Sequence, residues 1–178
     1  MTSAWNLHVL RDLFRHMEWA DERVWEAVAQ LPAGPADERL RTLLLHIHIV
    51  QRAFLHIWTE RPVLFPKEEE FPSILDVRVW ARPYYAELAA FVDALPVERL
   101  AEPLQMPWVK ELEARIGRAP EKPTIAETMF QVTSHSTYHR GQANVRLREL
   151  GLEPPLVDYI AWIWFGRPAH NKTAVSGV

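Results

Sequence analysis

Apolar residues recur at three- and four-residue steps along three long stretches of the chain that contain no proline. Because proline breaks the interior of a helix, the windows 1–31, 36–61 and 124–153 are where long helices can form. In the first window the apolar stripe precedes Pro32 and consists of Leu10, Leu13, Phe14, Met17, Ala20, Val24 and Val28. The pattern predicts one long helix in each window.

Start and stop signals give approximate bounds for two of these helices. One is predicted to run from about Asp37, which can act as its N-cap, to Thr59. The other opens at Thr124 with the capping box Thr-Ile-Ala-Glu. It is predicted to close at Leu150-Gly151, where glycine can adopt the left-handed conformation that ends many helices.

The remaining chain predicts two shorter helical stretches and one irregular connection. A helix is expected over 73–94, with a kink or a break at Pro83. The segment 96–123 contains five prolines and lacks strong periodicity, which predicts a long connection of the kind that often has a function. A short C-terminal helix is expected over 156–165, and the tail from Arg167 is expected to be frayed.

These elements predict an all-α fold. Packed side by side, they would form a four-helix bundle with a long crossover between the third and fourth helices and a short C-terminal helix. A chain of 178 residues is one ordinary domain in length. We therefore expect a single domain over 1–166 and a C-terminal tail over 167–178.

Composition and charge exclude several classes of protein. Lys and Arg total 20 and Asp and Glu total 23, for a net charge of −3 at pH 7, which argues against a nucleic-acid or anionic-membrane binder. The absence of cysteine excludes disulfides, Cys-ligated zinc, iron–sulfur clusters and thiol nucleophiles. No run approaches the ~18 apolar residues of a membrane span, and the first residues lack a signal peptide's apolar stretch. We expect a cytoplasmic protein.

Two of the eight histidines lie one helical turn apart in the window 124–153. His135 and His139 can therefore direct their rings to one point, and a metal such as Zn²⁺ or Ni²⁺ accepts such a pair. Gln142 continues the same polar line, which runs beside an apolar line. Such a line is either the solvated edge of an amphipathic helix or the wall of a wet cavity, and spacing alone leaves both interpretations open.

The window 36–61 offers a third imidazole, from His46 or His48, which point in opposite directions. His46 shares its face with apolar residues and is expected to be buried: Leu43, Val50, Ala53 and Ile57. His48 shares its face with residues that are expected to be solvated: Arg41, Gln51 and Arg52. A lone buried histidine is more often satisfied by a backbone carbonyl than by a metal. The pair His135 and His139 on a facing helix shifts the balance toward a three-histidine site that includes His46. His8, His16, His56 and His170 are expected to be surface or packing residues.

The segment 133–142, which reads TSHSTYHRGQ, closely resembles the signature of the DinB family. The segment 46–55, HIHIVQRAFL, is similar to the second-helix block of that family. Trp19-Ala20-Asp21 and the stretch 151–159, with its Pro-Pro pair, are similar to further landmarks, so the resemblance covers nearly the whole chain. His48 replaces a usual apolar residue and Phe54 replaces a common tryptophan.

The resemblance implies a four-helix bundle, often a homodimer, that binds one divalent metal ion through His46, His135 and His139. Zn or Ni is the expected metal, with Mn, Fe and Co as alternatives. Three neutral imidazoles leave at least one coordination position open, which is typical of a catalytic site. Gln142 and Tyr138 are candidates for catalytic or substrate contact, and Arg140 is expected to form a structural ion pair.

The same resemblance implies a class of reaction. Superfamily relatives include thiol S-transferases that use bacillithiol or mycothiol, together with hydrolase-like and isomerase members. We therefore expect a stress or detoxification enzyme that transfers a low-molecular-weight thiol to a small electrophile, with metal-dependent hydrolysis as the alternative. Two non-enzymatic alternatives are a metal-loaded stress or ligand-binding bundle and a dimerisation module in which the metal only clips the fold.

Overall fold

The computed structural model describes residues 5–31 and 37–169, and within these residues it contains helices and no strand. The α-helices are α1 (Leu7–Val28), α2 (Glu38–Trp58), α3 (Ile74–Ala81), α4 (Pro83–Ala94), α5 (Val109–Ile116), α6 (Ile125–Glu149) and α7 (Tyr159–Trp164). Two short 3₁₀ helices cover Glu68–Glu70 and Val97–Ala101. The predicted all-α class is confirmed. None of the described helices is both long enough and apolar enough to cross a membrane.

The capping signals act where the sequence placed them. The Asp37 carboxylate accepts a hydrogen bond from the Leu40 amide at 2.8 Å and starts α2. At the start of α6, the Thr124 amide donates to the Glu127 carboxylate at 2.7 Å, and the capping box is complete. Gly151 follows α6 with φ +85°, as predicted for a left-handed stop. The predicted bounds of both helices are confirmed to within a residue or two.

The helix predicted over 73–94 is divided into α3 and α4 at the position of Pro83. This proline is the first residue of α4, where its missing N–H group is not needed. Ser73 caps α3 through a capping box with Asp76. The division follows from the hydrogen bond that Pro83 cannot donate, whereas Arg82 between the two helices keeps helical backbone angles, with φ −53° and ψ −42°.

Two other predictions need correction in detail. The connection 96–123 contains the 3₁₀ helix Val97–Ala101 and α5, and α5 has no buried residue. The C-terminal helix α7 is shorter than the predicted 156–165, because the chain after Pro154-Pro155 stays extended as far as Asp158. The predicted helix stop at Pro32 and most of the predicted frayed tail lie outside the described residues.

Helix α6 packs against both α1 and α2, and α3 and α4 pack against α2. Two large apolar clusters fill the interior, and a third, small one joins Trp19, Ala20 and Trp162. Of the two large clusters, one joins residues such as Leu10, Trp58 and Met129, and the other joins residues such as Val24 and Leu44. Along each of α1, α2 and α6 the residues between the two large clusters include buried polar side chains, so a polar layer crosses the core. These side chains are Asp21, His48, Gln51, Ser136 and Arg140.

Candidate metal centre

Three histidines from two helices converge beside this polar layer. His46 comes from α2, and His135 and His139 come from α6. One ring nitrogen of each lies within 4.8 Å of those of the other two. His46 Nε2 and His135 Nε2 are 3.3 Å apart. Two nitrogens bound to one tetrahedral zinc ion at ~2.05 Å would lie about 3.3 Å apart. The three residues could therefore hold a metal ion.

A hydrogen bond fixes the orientation of one of the three rings. His139 Nδ1 lies 2.7 Å from Gln142 Oε1. Because an amide oxygen only accepts, Nδ1 must carry the proton, which leaves the lone pair of His139 on Nε2. A hydrogen bond of this kind, from the nitrogen that does not bind the metal, is typical of histidines that bind metals. Gln142, a candidate for substrate contact, therefore lies where it orients His139, one of the three residues that could bind the metal.

The surroundings favour the neutral form of two imidazoles of the site, those of His135 and His46. Burial, together with the positive charge that His139 or His46 would carry, lowers the pKa of His135 to about 4. The side chains around His46 partly desolvate its ring and so also lower its pKa, with a smaller contribution from His139. Neutral rings at pH 7 keep the lone pairs that a divalent cation requires.

The burial argument that favoured His46 over His48 is wrong. His46 is exposed, whereas His48 is only 1% exposed and Gln51 is fully buried. His48 and Gln51 on the polar face of α2 are buried, and Arg41 and Arg52 beside them are partly buried, each donating to a backbone carbonyl. Periodicity assigned polar residues to solvent because it contains no information about partners on other helices. The geometry nevertheless brings His46, and not His48, to His135 and His139.

His48 belongs instead to the polar layer. Trp25 Nε1 donates to His48 Nε2 at 3.2 Å, so the proton of the neutral ring is on Nδ1. His48 Nδ1 then donates to Gln51 Oε1 at 2.8 Å. The amide nitrogen of Gln51 in turn donates to Asp21 at 2.8 Å and lies 3.1 Å from the Ser136 hydroxyl. Burial lowers the pKa of His48, in agreement with a neutral ring in this chain of hydrogen bonds.

The chain of hydrogen bonds ends on a buried ion pair. Arg140 donates to Asp21 Oδ1 at 2.6 Å, and both side chains are 3% exposed. Tyr85 also donates to Asp21, at 2.8 Å. The predicted structural role of Arg140 agrees with this contact. Because Ser136 and Arg140 directly follow His135 and His139 in sequence, the polar layer fixes the rotation of α6 that presents both ligands.

Two clefts open on opposite sides of the triad along the groove between α2 and α6. The first has a volume of about 420 Å³ and reaches His135. It is lined by Val50, Ala53, Phe54, Phe65, Trp108, Gln131 and His135. The second has a volume of about 360 Å³ and is more polar near the histidines. It is lined by Thr42, Leu43, Leu45, His46, Ile49, Glu68, His139 and Gln142. The triad therefore has access from two directions.

The other singled-out residues lie outside the triad. Tyr138 is 65% exposed, and the edge of its ring contacts His139 with the ring centroids 4.9 Å apart. His16 is buried against the Val157 carbonyl, His56 lies against the Pro62 carbonyl, and His8 is exposed. His170 lies outside the described residues.

Sequence reasoning missed the cleft residues that come from loops. Phe65 and Trp108 lie in stretches without periodicity, so no pattern connected them to the histidines. Glu68 is one of three consecutive glutamates, and nothing in the sequence distinguishes it from its neighbours. The Asp21 landmark was noted, but its link to Gln51 and His48 depends on how the helices pack.

The described fold and site define an all-α protein with a candidate three-histidine metal centre. The DinB family model matches residues 2–170, and the chain therefore belongs to the DinB family. A comparison with curated proteins finds no match.

Proposed function

We propose that this protein is a divalent-metal-dependent enzyme that transfers a low-molecular-weight thiol to an electrophilic carbon of a small substrate. The observation that carries the proposal is the convergence of three imidazoles, two with lowered pKa values, at the meeting point of two clefts, of which one is lined by Thr42, Glu68 and Gln142. The four-helix bundle, the homodimer, the stress role and the cytoplasmic location implied by the family resemblance belong to the same proposal.

The donor set fits a borderline divalent cation such as Zn²⁺ or Ni²⁺. His46, His135 and His139 would hold the ion, and Gln142 would orient His139. When bound, the ion would lower the pKa of a coordinated thiol or water and so supply a nucleophile at neutral pH. Because the chain has no cysteine, the thiol must come from a second small molecule.

The residues around the triad would bind the two substrates in separate clefts. The cleft lined by Thr42, Glu68 and Gln142 accommodates the thiol, and the cleft that reaches His135 accommodates the electrophile. The thiol sulfur forms a bond to the electrophilic carbon, whose bond to the leaving group breaks with both electrons going to that group. The thiol proton passes to solvent or to the Glu68 carboxylate.

One observation favours hydrolysis as the second candidate. Glu68 lines the same cleft as His46 and His139, and its carboxylate lies 3.2 Å from the Thr42 hydroxyl. A carboxylate beside a metal site is a suitable general base for water. If water is the nucleophile, Glu68→Gln should lower kcat for ester cleavage, and added thiols should have no effect.

The decisive experiment combines metal analysis with a thiol screen. Protein purified without an affinity tag should contain about one divalent ion per chain. His46→Ala, His135→Ala and His139→Ala should remain helical by circular dichroism and lose both the metal and thiol transfer, whereas the exposed His8→Ala should keep both. A metal-containing protein that shows no metal-dependent rate with any thiol would reject the transferase proposal. Full metal content in all three variants would reject the site.

A further inference from the structure

The apolar cleft beside His135 is walled by aromatic rings from three separate parts of the chain. Phe54 comes from α2, Phe65 from the loop after α2, and Trp108 from the residue that precedes α5. The Trp108 ring meets the other two edge-on, with centroid distances of 5.8 Å to Phe54 and 6.1 Å to Phe65. Edge-to-face walls of this kind offer a flat ring the arrangement that aromatic pairs prefer.

The size and charge of the cleft restrict what it can bind. Its volume of about 420 Å³ is within the range of pockets that hold small molecules. Its lining contains no acidic residue, lysine or arginine. A phosphate or carboxylate ligand would find no counter-charge there, whereas an uncharged ring would bury apolar surface.

His135 is the member of the triad that lines this cleft. Its Nε2 lies 3.3 Å from His46 Nε2, so a group bound in the cleft would lie directly beside the triad.

We infer that this cleft binds an aromatic, uncharged group of the electrophilic substrate. The word substrate rests on the proposed function, but binding of such a compound is a property of the cleft itself. A substrate held in this way would lie beside the triad, on the side opposite the cleft assigned to the thiol.

Binding of two matched probes tests the preference for an aromatic ring. 2-Acetylnaphthalene is aromatic, and 2-acetyldecahydronaphthalene has the same carbon skeleton and carbonyl group with saturated rings. Their affinities for the zinc-loaded protein are measured by displacement of a fluorescent naphthyl ketone, with no turnover required. We expect 2-acetylnaphthalene to bind about twofold to tenfold more tightly, as the preference of aromatic pairs allows. Equal affinities would overturn the aromatic preference of the cleft.

Variants of the wall identify the site of binding. Trp108→Ala should weaken binding of 2-acetylnaphthalene about tenfold, and Phe65→Ala should weaken it severalfold. Phe65 is 59% exposed, so its replacement leaves the fold intact even if Trp108→Ala disturbs it. The matched control is Trp164→Ala on α7, which removes a 76% exposed ring outside the cleft and should change the affinity less than twofold. Wild-type affinity in Phe65→Ala and in folded Trp108→Ala would overturn the inference.

These readouts separate the inference from the proposed function. A protein that binds the probes as described but transfers no thiol retains the aromatic site and rejects the transferase proposal. A protein that transfers thiols in a metal-dependent way, yet binds the probes equally well in both wall variants, retains the function and overturns the aromatic site.

Discussion

The amide oxygen of Gln142 accepts the Nδ1 proton of His139, and this contact determines which nitrogen of that ring faces the other two histidines. Removal of the partner frees the ring to rotate and to change tautomer. Gln142→Ala is therefore expected to weaken metal binding about tenfold to a hundredfold. The measurement is a competition titration against a chromophoric chelator.

The chain offers two matched controls for this prediction. Gln142→Glu keeps an acceptor and should retain most of the affinity, and the exposed Gln131→Ala on the same helix should change the affinity little. Unchanged metal affinity in Gln142→Ala would show that Gln142 does not orient His139.

The ion pair between Asp21 and Arg140 is a second contact between individual residues, and it affects the stability of the fold. Both side chains are 3% exposed, so the loss of one partner leaves an uncompensated charge in the core. Arg140→Met is expected to lower the free energy of unfolding by about 3–5 kcal/mol, as measured by urea denaturation. Removal of both charges in Asp21→Leu/Arg140→Met should recover part of this loss.

The control for the buried pair is the exposed pair between Arg23 and Glu26, whose side chains are about half exposed. Arg23→Met should change stability little, because solvent screens such pairs. Similar losses in Arg140→Met and Arg23→Met would contradict a special role for the buried pair.

At the scale of elements, one carboxylate both caps α2 and joins it to α6. Asp37 accepts from the Leu40 amide, and Arg146 on α6 donates to both of its oxygens, at 3.1 and 2.6 Å. The hydrogen bonds from Arg146 hold the pKa of Asp37 below its usual value of 3.8. The carboxylate is therefore more acidic in the folded chain than in the unfolded one.

This lowered pKa has a defined consequence for stability. A depressed carboxylate pKa contributes stability above the unfolded value of 3.8, and that contribution is lost as the pH falls through the folded value. Asp37→Asn keeps the cap but loses the ion pair, so it should be slightly less stable than the wild type at pH 5–7. The difference in urea midpoint should shrink below about pH 4.

Asp37→Ala loses the cap as well and should be less stable than Asp37→Asn at neutral pH. A difference between the wild type and Asp37→Asn that stays constant from pH 7 to pH 3 would contradict the assignment of the ion pair to Asp37.

Elements were predictable where the signal was local. The capping box at Thr124 and the proline at the start of α4 act within one turn of chain, and both were found in the sequence. Helix α5 was missed because its eight residues lie between prolines, and its apolar stripe of Val109, Leu112 and Ile116 is too short to stand out. The extent of α7 depends on the extended segment that precedes it.

At the scale of the whole molecule, the triad joins α2 and α6 across the groove between them. A cation that binds only the folded arrangement stabilises it by mass action, by about 2.7 kcal/mol at a hundredfold excess over Kd. For a chain of this size we expect Zn²⁺ or Ni²⁺ to raise Tm by roughly 5–10 °C. Differential scanning fluorimetry of untagged protein measures this rise.

Variants test whether the rise comes from the triad. His139→Ala should abolish it, whereas His8→Ala, at an exposed position of α1, should preserve it. An equal rise in His139→Ala would assign the stabilising ion to another site. The homodimer implied by the resemblance stays a prediction, which sedimentation equilibrium would test.

By itself, the sequence determined the all-α class, the ends of α2 and α6, the family resemblance and the spacing of His135 and His139. These depend on residues within about a turn of one another, because helix capping and helix periodicity are local. Only the tertiary structure decided that His46 is exposed while His48 and Gln51 are buried, and that Trp108 reaches the site. A polar side chain can be buried only where other helices supply its partners, and no local pattern contains those partners.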